Sequence, residues 1–336
     1  MTVFAAATGI GSWPGRSVRA AAEIIVGELH RLPYLPELPD RGIGADMIGR
    51  AGALLVDIAI DTVPRGYRLV ARPGAVNRRS VSLLGEDLDA LEEAWVTAGG
   101  TQSGRSVKVQ CPGPVTLAAM LELANGHRAI TDRGAVRDLT TSLAEGVALH
   151  RTDLERRLST TVVIQLDEPL LPAALAGRLA GTSFLTPVHP VDESSAVALL
   201  DECVTTVGGE VLVHCGSGDI PWEVLHRSAV RAVSVDPAAL DDRGRDGLGG
   251  FIDSGRTAVL GVVPAASVEP VPSYEQAAAA AAAVTDRLGF PRSVLAERVG
   301  LSPVGGLVGA TAAWARTATV LTQRAGDALI QDPAAV

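Results

Sequence analysis

Two potential metal ligands follow a short apolar segment in the second half of the chain. The segment Val211–Val213 is aliphatic and β-branched, which is typical of a strand that is buried on both faces. It runs directly into His214 and Cys215, and Gly216 then begins a loop. Imidazole nitrogen and thiolate sulfur are common zinc ligands, so these residues could hold a metal. A buried thiol beside a hydrogen-bonded histidine is the simpler alternative, because motifs this short also occur by chance.

Two further apolar segments are also followed directly by acidic residues. Asp167 and Glu168 follow the segment 161–166, and Asp236 follows the segment 232–235. Because neighbouring residues of a strand point to opposite faces, Asp167 and Glu168 cannot share one pocket as an acid–base pair. We expect one of them to face a ligand and the other to orient a neighbouring group. A solvated turn is the alternative.

Three loops contain small or polar residues that could contact a ligand. They are the glycine-rich turn Thr8–Gly15 around Ser12, the loop that leads into a helix at Asp46, and the proline-containing loop that ends at Thr116. The first turn lacks the glycine spacing of a dinucleotide fingerprint or a phosphate-binding loop. Each loop could instead be structural, as a strand-to-helix turn, a surface loop and a helix cap respectively.

A pattern of apolar strand, loop and helix recurs along the chain. Its spacing is the ~30 residues of βαβ units, with little sign of consecutive hairpins, and it predicts a parallel sheet covered by helices. A single (β/α)8 barrel would place all strand ends at one rim, where Ser12, Asp167, His214 and Asp236 would face a common cavity. A doubly wound open sheet is the alternative. No linker divides the chain, so we expect one domain over residues 1–336.

The composition argues against several classes of protein. The chain has 336 residues, is 47% hydrophobic and carries a net charge of −9, and it lacks the dense basic runs of a nucleic-acid surface. No apolar stretch approaches the ~20 residues of a membrane span, and the N-terminus lacks the basic start of a signal peptide. Three scattered cysteines do not suggest a disulfide framework, so we expect a reducing, cytoplasmic location.

Lys108 is the only lysine of the chain. Any mechanism that needs a Schiff base would therefore depend on this residue. It alternates with Val107 and Val109, and this alternation alone leaves the direction of its side chain open. Lysine-dependent chemistry consequently ranks last among the alternatives.

Six motifs occur together in an order that matches a known family. They are Ile10–Pro14, Gly44–Met47, Gly113–Thr116, Gln165–Pro169, Val213–Cys215 and Leu301–Pro303. In this order and spacing they resemble the catalytic half of cobalamin-independent methionine synthase, in its short single-barrel form, over nearly the whole chain. The resemblance implies a barrel whose zinc ion binds homocysteine as a thiolate. A methyl group then passes to that sulfur from a folate or another donor.

The resemblance also implies roles for individual residues. The backbone of the first motif would contact homocysteine, and Asp167 would hold its ammonium group. Glu168 would orient the zinc site from behind, and the loop of Thr116 would lie towards the methyl donor. The implied substrate-side residues are Ile10, Gly11, Ser12, Asp46, Thr116, Asp167 and Glu168.

The zinc-ligand pattern of the family is present only in part. His214 fits the first ligand, but the family's cysteine positions fall on Gly216 and Gly305. Asp236 stands where the family has an acidic ligand, usually glutamate, and Cys215 lies one residue early, where a regular strand would turn it to the other face. A catalytic zinc normally has three protein ligands, so the remaining candidates predict a weakened or rebuilt site.

Two functions of different classes follow from these observations. The first is a methyltransferase that acts on homocysteine or a similar small thiol, because the substrate-side residues are present. The second is a non-catalytic barrel that binds an amino acid or a folate-like ligand, because the two cysteines are missing. Metal-free chemistry of the uroporphyrinogen decarboxylase type is a third alternative, although no arginine-lined pocket is evident near Gly9–Pro14.

Overall fold

A curled sheet of six parallel strands forms the centre of the fold. The computed structural model describes residues 2–102, 104–182, 187–216 and 219–336. Within these ranges the strands are β1 (Ala59–Val63), β2 (Gly66–Val70), β3 (Val107–Pro112), β4 (Leu121–Glu122), β5 (Val162–Asp167), β6 (Val211–His214), β7 (Ala232–Val235), β8 (Thr257–Val263) and β9 (Val299–Pro303). The large sheet has the order β3-β5-β6-β7-β8-β9, and all of its pairs are parallel. This arrangement confirms the predicted parallel sheet.

Extended segments from the N-terminal part of the chain lie along both edges of this sheet. The segment around Ala7 forms a parallel bridge to β9, and the segment around Tyr34 forms a parallel bridge to β3. A further parallel bridge, between Ser12 and Glu37, joins the two segments to each other. The prediction of eight barrel strands is therefore confirmed only in part, because the parallel sheet has six regular strands among the described residues. The sequence of residues 183–189 predicts a further strand and loop, and residues 183–186 of this segment lie outside the described ranges.

Helices cover the outside of the sheet and connect its strands. Ser17, Asp132 and Asp192 each cap a helix by accepting a hydrogen bond from a backbone N–H three residues further on. No helix within the described ranges is long and apolar enough to cross a membrane. The helices are α1 (Val18–Glu28), α2 (Met47–Leu54), α3 (Ala75–Thr97), α4 (Pro114–Met120), α5 (Arg133–Leu158), α6 (Leu171–Leu175), α7 (Glu193–Val207), α8 (Trp222–Arg227), α9 (Asp242–Asp253), α10 (Tyr274–Arg287), α11 (Ser293–Arg298) and α12 (Ala312–Gln331).

A second, smaller sheet departs from the predicted pattern. β1 and β2 form an antiparallel hairpin with Val63 opposite Gly66, and β2 pairs in parallel with β4. Residues 63–70 by themselves predict a turn followed by one strand, so the sequence prediction missed β1. The two-residue turn, Pro64 and Arg65, lacks the Asn-Gly or Asp-Gly pair that signals a tight hairpin, which explains the omission.

Alternate residues of the parallel strands contribute to two different clusters of buried side chains. The larger cluster packs against the helices and includes Val109, Ile164 and Val213. The smaller cluster lies inside the curled sheet and consists of Phe4, Ala6, Leu32, Val163, Leu212, Ala232 and Val259. We call the side of the sheet that carries this smaller cluster the interior face. Because side chains alternate along a strand, residues two positions beyond each of its members point to the same side.

Candidate functional site

Polar side chains occupy the interior face next to the small apolar cluster. Most of them lie in the carboxyl-terminal half of their strands, where parallel α/β barrels form their active sites. Polar groups buried in this way need hydrogen-bond partners, which are supplied by one another or by a ligand. The interior polar residues of the strands are Lys108, Gln110, Gln165, Asp167, His214, Ser234 and Ser302.

Asp167 and His214 lie opposite each other at the ends of β5 and β6. Oδ1 of Asp167 accepts a hydrogen bond from Nε2 of Gln165 at 2.7 Å, and no donor of the described residues bonds to its Oδ2. Burial raises the pKa of Asp167 well above its usual value, and the Glu37 carboxylate raises it further. A bound cation would favour the ionised form, so Asp167 is suited to hold an ammonium group.

The imidazole of His214 also has a nitrogen available to a ligand. Its Nδ1 is buried and has no hydrogen-bond partner in the described part of the chain. Burial, together with the positive charge of Lys108, lowers the pKa of His214 to about 4. The ring is therefore neutral at pH 7. Its unpartnered Nδ1 can donate or accept one hydrogen bond with a ligand, depending on the tautomer.

The predicted substrate loop 10–12 lies beside these side chains. The carbonyl oxygen of Ile10 accepts a hydrogen bond from Nε2 of Gln165 at 2.7 Å. Gly11 has a φ of 149°, and a Cβ at this position would lie 2.8 Å from the side chain of Gln110, so the loop requires glycine here. The structure thus brings the predicted loop and Asp167 to one side chain, that of Gln165.

Glu168 and Thr116 form hydrogen bonds with each other rather than with residues of the interior face. Oε1 of Glu168 accepts from the backbone N–H of Val115 at 2.9 Å, and Oε2 accepts from the N–H and hydroxyl of Thr116 at 2.8 and 2.7 Å. Glu168 therefore caps α4 from a neighbouring strand. Burial raises the pKa of Glu168 to about 7 against the opposing effect of these hydrogen bonds. The adjacent carboxylates of Asp167 and Glu168 therefore have different environments. The predicted position of Thr116 towards the methyl donor stays a prediction.

Asp46 caps a helix as well. Its Oδ1 accepts from the backbone N–H groups of Ile48 and Gly49 at 3.1 and 3.0 Å, and its Oδ2 accepts from the hydroxyl of Tyr67. The same hydroxyl accepts from the N–H of Gly44 at 2.9 Å, which ties the loop to β2. Both carboxylate oxygens accept hydrogen bonds from within this loop and from β2, and a substrate role for Asp46 stays a prediction.

Sequence reasoning missed three interior groups: Glu37, Gln110 and Gln165. Nε2 of Gln110 donates to the carbonyl of Leu35 at 2.6 Å, and burial raises the pKa of Glu37 while Arg50 opposes this shift. The two glutamines alternate with apolar residues in buried strands, which was the signal that could have found them. Glu37 lies in a proline-rich extended segment. Such a segment has no regular alternation of residues, so its sequence does not predict the direction of a side chain.

The predicted metal ligands do not form a metal site. Within the described ranges, no group of three or more His, Cys, Asp and Glu side chains is arranged to hold a metal ion. Cys215 belongs to the helix-facing cluster, where burial raises the pKa of its thiol, and Oδ1 of Asp236 accepts the N–H of Ala238 at 2.9 Å. Gly216 has a φ of 76°, a left-handed conformation that a cysteine seldom adopts. The donor set of this chain therefore does not fit the zinc ion that the resemblance implies.

The loop after β9 packs one glycine of the pair Gly305 and Gly306 against the substrate loop. A Cβ at Gly306 would lie 2.0 Å from Oγ of Ser12, whereas a Cβ at Gly305 meets no atom within 4 Å. We expect Gly306→Ala to lower the free energy of unfolding by about 1–3 kcal/mol, because the serine or the loop must move. Gly305→Ala should change it by less than about 0.5 kcal/mol. Urea unfolding of both variants measures the difference, and equal effects would contradict the assigned contact.

The fold and the interior polar residues define an α/β protein with its candidate site at the carboxyl ends of parallel strands. The sequence matches the family described as cobalamin-independent synthase, catalytic domain, over residues 4–327. The chain belongs to this family. Comparison with curated proteins gave no match.

Two solved structures share the fold of this chain. A putative vitamin-B12-independent methionine synthase from Listeria monocytogenes is 14% identical, with 96% of each chain covered and a TM-score of 0.56. A B12-independent methionine synthase from a Shewanella species, in complex with selenomethionine, is 13% identical, with a TM-score of 0.51. That match covers 83% of this chain and 76% of the other. At such identities the likeness extends to the fold alone.

Proposed function

We propose that this chain transfers a methyl group to the thiol of homocysteine, or of a similar small amino acid, from a folate or another methyl donor. Family membership supports the reaction class. The observation that carries the proposal is the pair at the ends of β5 and β6. Among the described residues, one carboxylate oxygen of Asp167 accepts no hydrogen bond, and Nδ1 of His214, opposite it, has no partner. The Shewanella relative was solved with selenomethionine, an amino acid of the class proposed here.

The proposed substrate binds across these two residues. Asp167 pairs with its ammonium group, and the neutral imidazole of His214 forms a hydrogen bond with the thiol end. With a folate donor, transfer forms the sulfur–methyl bond and breaks the bond from the methyl group to the donor nitrogen, and the thiol proton passes to that nitrogen. With a sulfonium donor, the bond that breaks joins the methyl group to sulfur, a neutral thioether leaves, and the thiol proton passes to water. Holding the thiol in a fixed position lowers the entropic part of the barrier.

The proposal also covers the domain organisation, the partners and the location of the protein. Residues 1–336 act as one domain on small-molecule substrates, without a nucleic-acid or membrane partner. Cys111, Cys203 and Cys215 are all buried and unpaired, which supports a reducing, cytoplasmic location.

A methyl-transfer assay tests this function. The purified protein is incubated with homocysteine and 5-methyltetrahydrofolate that carries a deuterated methyl group, with and without added zinc, and labelled methionine is measured by mass spectrometry. S-methylmethionine and S-adenosylmethionine serve as further donors. Labelled methionine that depends on the protein is the expected result. Binding of methionine without turnover by any donor would overturn catalysis and favour the non-catalytic barrel, and absence of both would overturn the amino-acid site itself.

A further inference from the structure

The single lysine of the chain is buried in the interior face, and the proposed reaction gives it no role. Of the 29 lysine and arginine residues, only Lys108 is a lysine, and it is fully buried. Nζ donates to Oε1 of Gln165 at 2.7 Å and lies 3.4 Å from both the carbonyl oxygen of Ile10 and Oε1 of Gln110. The ring centroid of Tyr34 lies 5.2 Å away. A buried ammonium group is costly without such partners, so this arrangement is specific.

Gln165 connects the lysine to two groups of the candidate site. Because its Oε1 accepts from Lys108, its Nε2 must point to the opposite side, where it donates to Oδ1 of Asp167 and to the carbonyl of Ile10, both at 2.7 Å. An amide has one accepting oxygen and one donating nitrogen, and it cannot exchange them without breaking all of these bonds. An apolar side chain at position 108 would remove one of the three hydrogen bonds that hold the amide and would leave its buried Oε1 without this donor, which favours a shift of the whole side chain.

We propose that Lys108 is a positioning residue for the amino-acid substrate. By fixing the orientation of the Gln165 amide, it holds the Asp167 carboxylate and the Ile10 carbonyl in the arrangement that receives the substrate's ammonium group. This inference deepens the proposed function and rests on its assignment of Asp167. Lys108 acts through Gln165 and does not need to touch the substrate.

The groups around Lys108 keep its side chain charged at neutral pH. The carboxylates of Asp167 and Glu37, the imidazole of His214 and the ring of Tyr34 face it from the neighbouring strands and segments. Burial lowers the pKa of Lys108 to about 8, and the two carboxylates oppose this shift. The ammonium group is therefore present at pH 7 and is lost as the pH rises through about 8. Arginine, with its planar fork of donors, does not reproduce this compact charge.

The variant Lys108→Met tests the inference through the ammonium group of the ligand. Isothermal titration calorimetry compares L-methionine with 4-methylthiobutanoate, which is the same molecule without its ammonium group. We expect the variant to lose about tenfold or more in affinity for methionine and to keep its affinity for the other ligand within about twofold. The wild-type preference for methionine should also fall above pH 8, and the variant should lack this inflection. Equal losses for both ligands would indicate a merely structural role and overturn the inference.

A second variant keeps the test decisive if Lys108→Met does not fold. Gln165→Glu retains the acceptor for Lys108 but cannot donate to Asp167, so it should show the same selective loss. Arg137→Met, which removes an exposed cation of α5, is the control and should bind both ligands as the wild type does. Unchanged methionine affinity in the two interior variants would overturn this inference alone. A wild-type protein that binds no amino acid would overturn the proposed function together with it.

Discussion

Replacing Asp167 with asparagine is expected to lower the affinity for L-methionine by about 100-fold while the protein remains folded. The asparagine oxygen can still accept the hydrogen bond from Gln165, so the local arrangement persists. What disappears is the negative charge that would pair with the ligand's ammonium group on the buried interior face. Isothermal titration calorimetry measures the change. An affinity within about threefold of the wild type would place the ammonium site elsewhere.

Stability should respond to this substitution in the opposite direction. Burial raises the pKa of Asp167, so the ionised carboxylate is unfavourable in the free protein. A carboxyl group with a raised pKa contributes stability at low pH that is lost as the pH rises through its folded-state value, and asparagine has no such dependence. The variant should therefore be as stable as the wild type, or more stable, at pH 7. Asp138→Asn, on the exposed surface of α5, is the control for both measurements.

Replacing Asp87 with alanine is expected to lower the free energy of unfolding by about 3–5 kcal/mol. Asp87 of α3 is fully buried and accepts hydrogen bonds from the guanidinium groups of Arg41 and Arg50. These side chains are only 8% and 5% exposed, so loss of the carboxylate leaves two buried cations without their main partner. Nε of Arg50 also lies 3.6 Å from Oε1 of Glu37, which connects this cluster to the interior face.

Asp89, two residues further along the same helix, provides the control for Asp87. It pairs with Arg157, but its side chain is 74% exposed, so Asp89→Ala should cost less than about 1 kcal/mol. Equilibrium unfolding in urea compares the two variants. A loss of less than about 1 kcal/mol for Asp87→Ala would contradict the structural role given to the buried carboxylate.

The parallel strands could be predicted because their apolar runs are long, flanked by loops and followed by helical periodicity. The strands β5, β6 and β7 coincide, to within a residue, with the predicted apolar segments. The same burial made the direction of individual side chains unpredictable, because a strand that is buried on both faces has no solvent-exposed polar side. Lys108 shows the consequence: its identity was notable in the sequence, but its interior position required the pairing of β3 with β5.

The site was predictable in position and less so in detail. Asp167 and His214 were expected at one rim of a barrel, and the structure places them opposite each other on two adjacent strands. Asp46 and Thr116 instead bond within their own surroundings, because cap and side-chain partners such as Tyr67 and Glu168 come from distant parts of the chain. A single sequence does not indicate which distant residues will form these hydrogen bonds. Glycine at 216 was read as a missing ligand, and its left-handed backbone adds a physical reason for the loss.

The bridge between Ala7 and Leu301 has a consequence for how the protein is made on the ribosome. The segment that carries Ile10 leaves the exit tunnel long before β9, the strand beside it, is synthesised. Ser12 likewise waits for Leu307, whose N–H donates to its carbonyl at 2.9 Å. Contacts so far apart in the chain form slowly, and the segment around Ala7 stays unpaired until β9 is available. The substrate loop therefore reaches its final position only after β9 and the loop that follows it have been made.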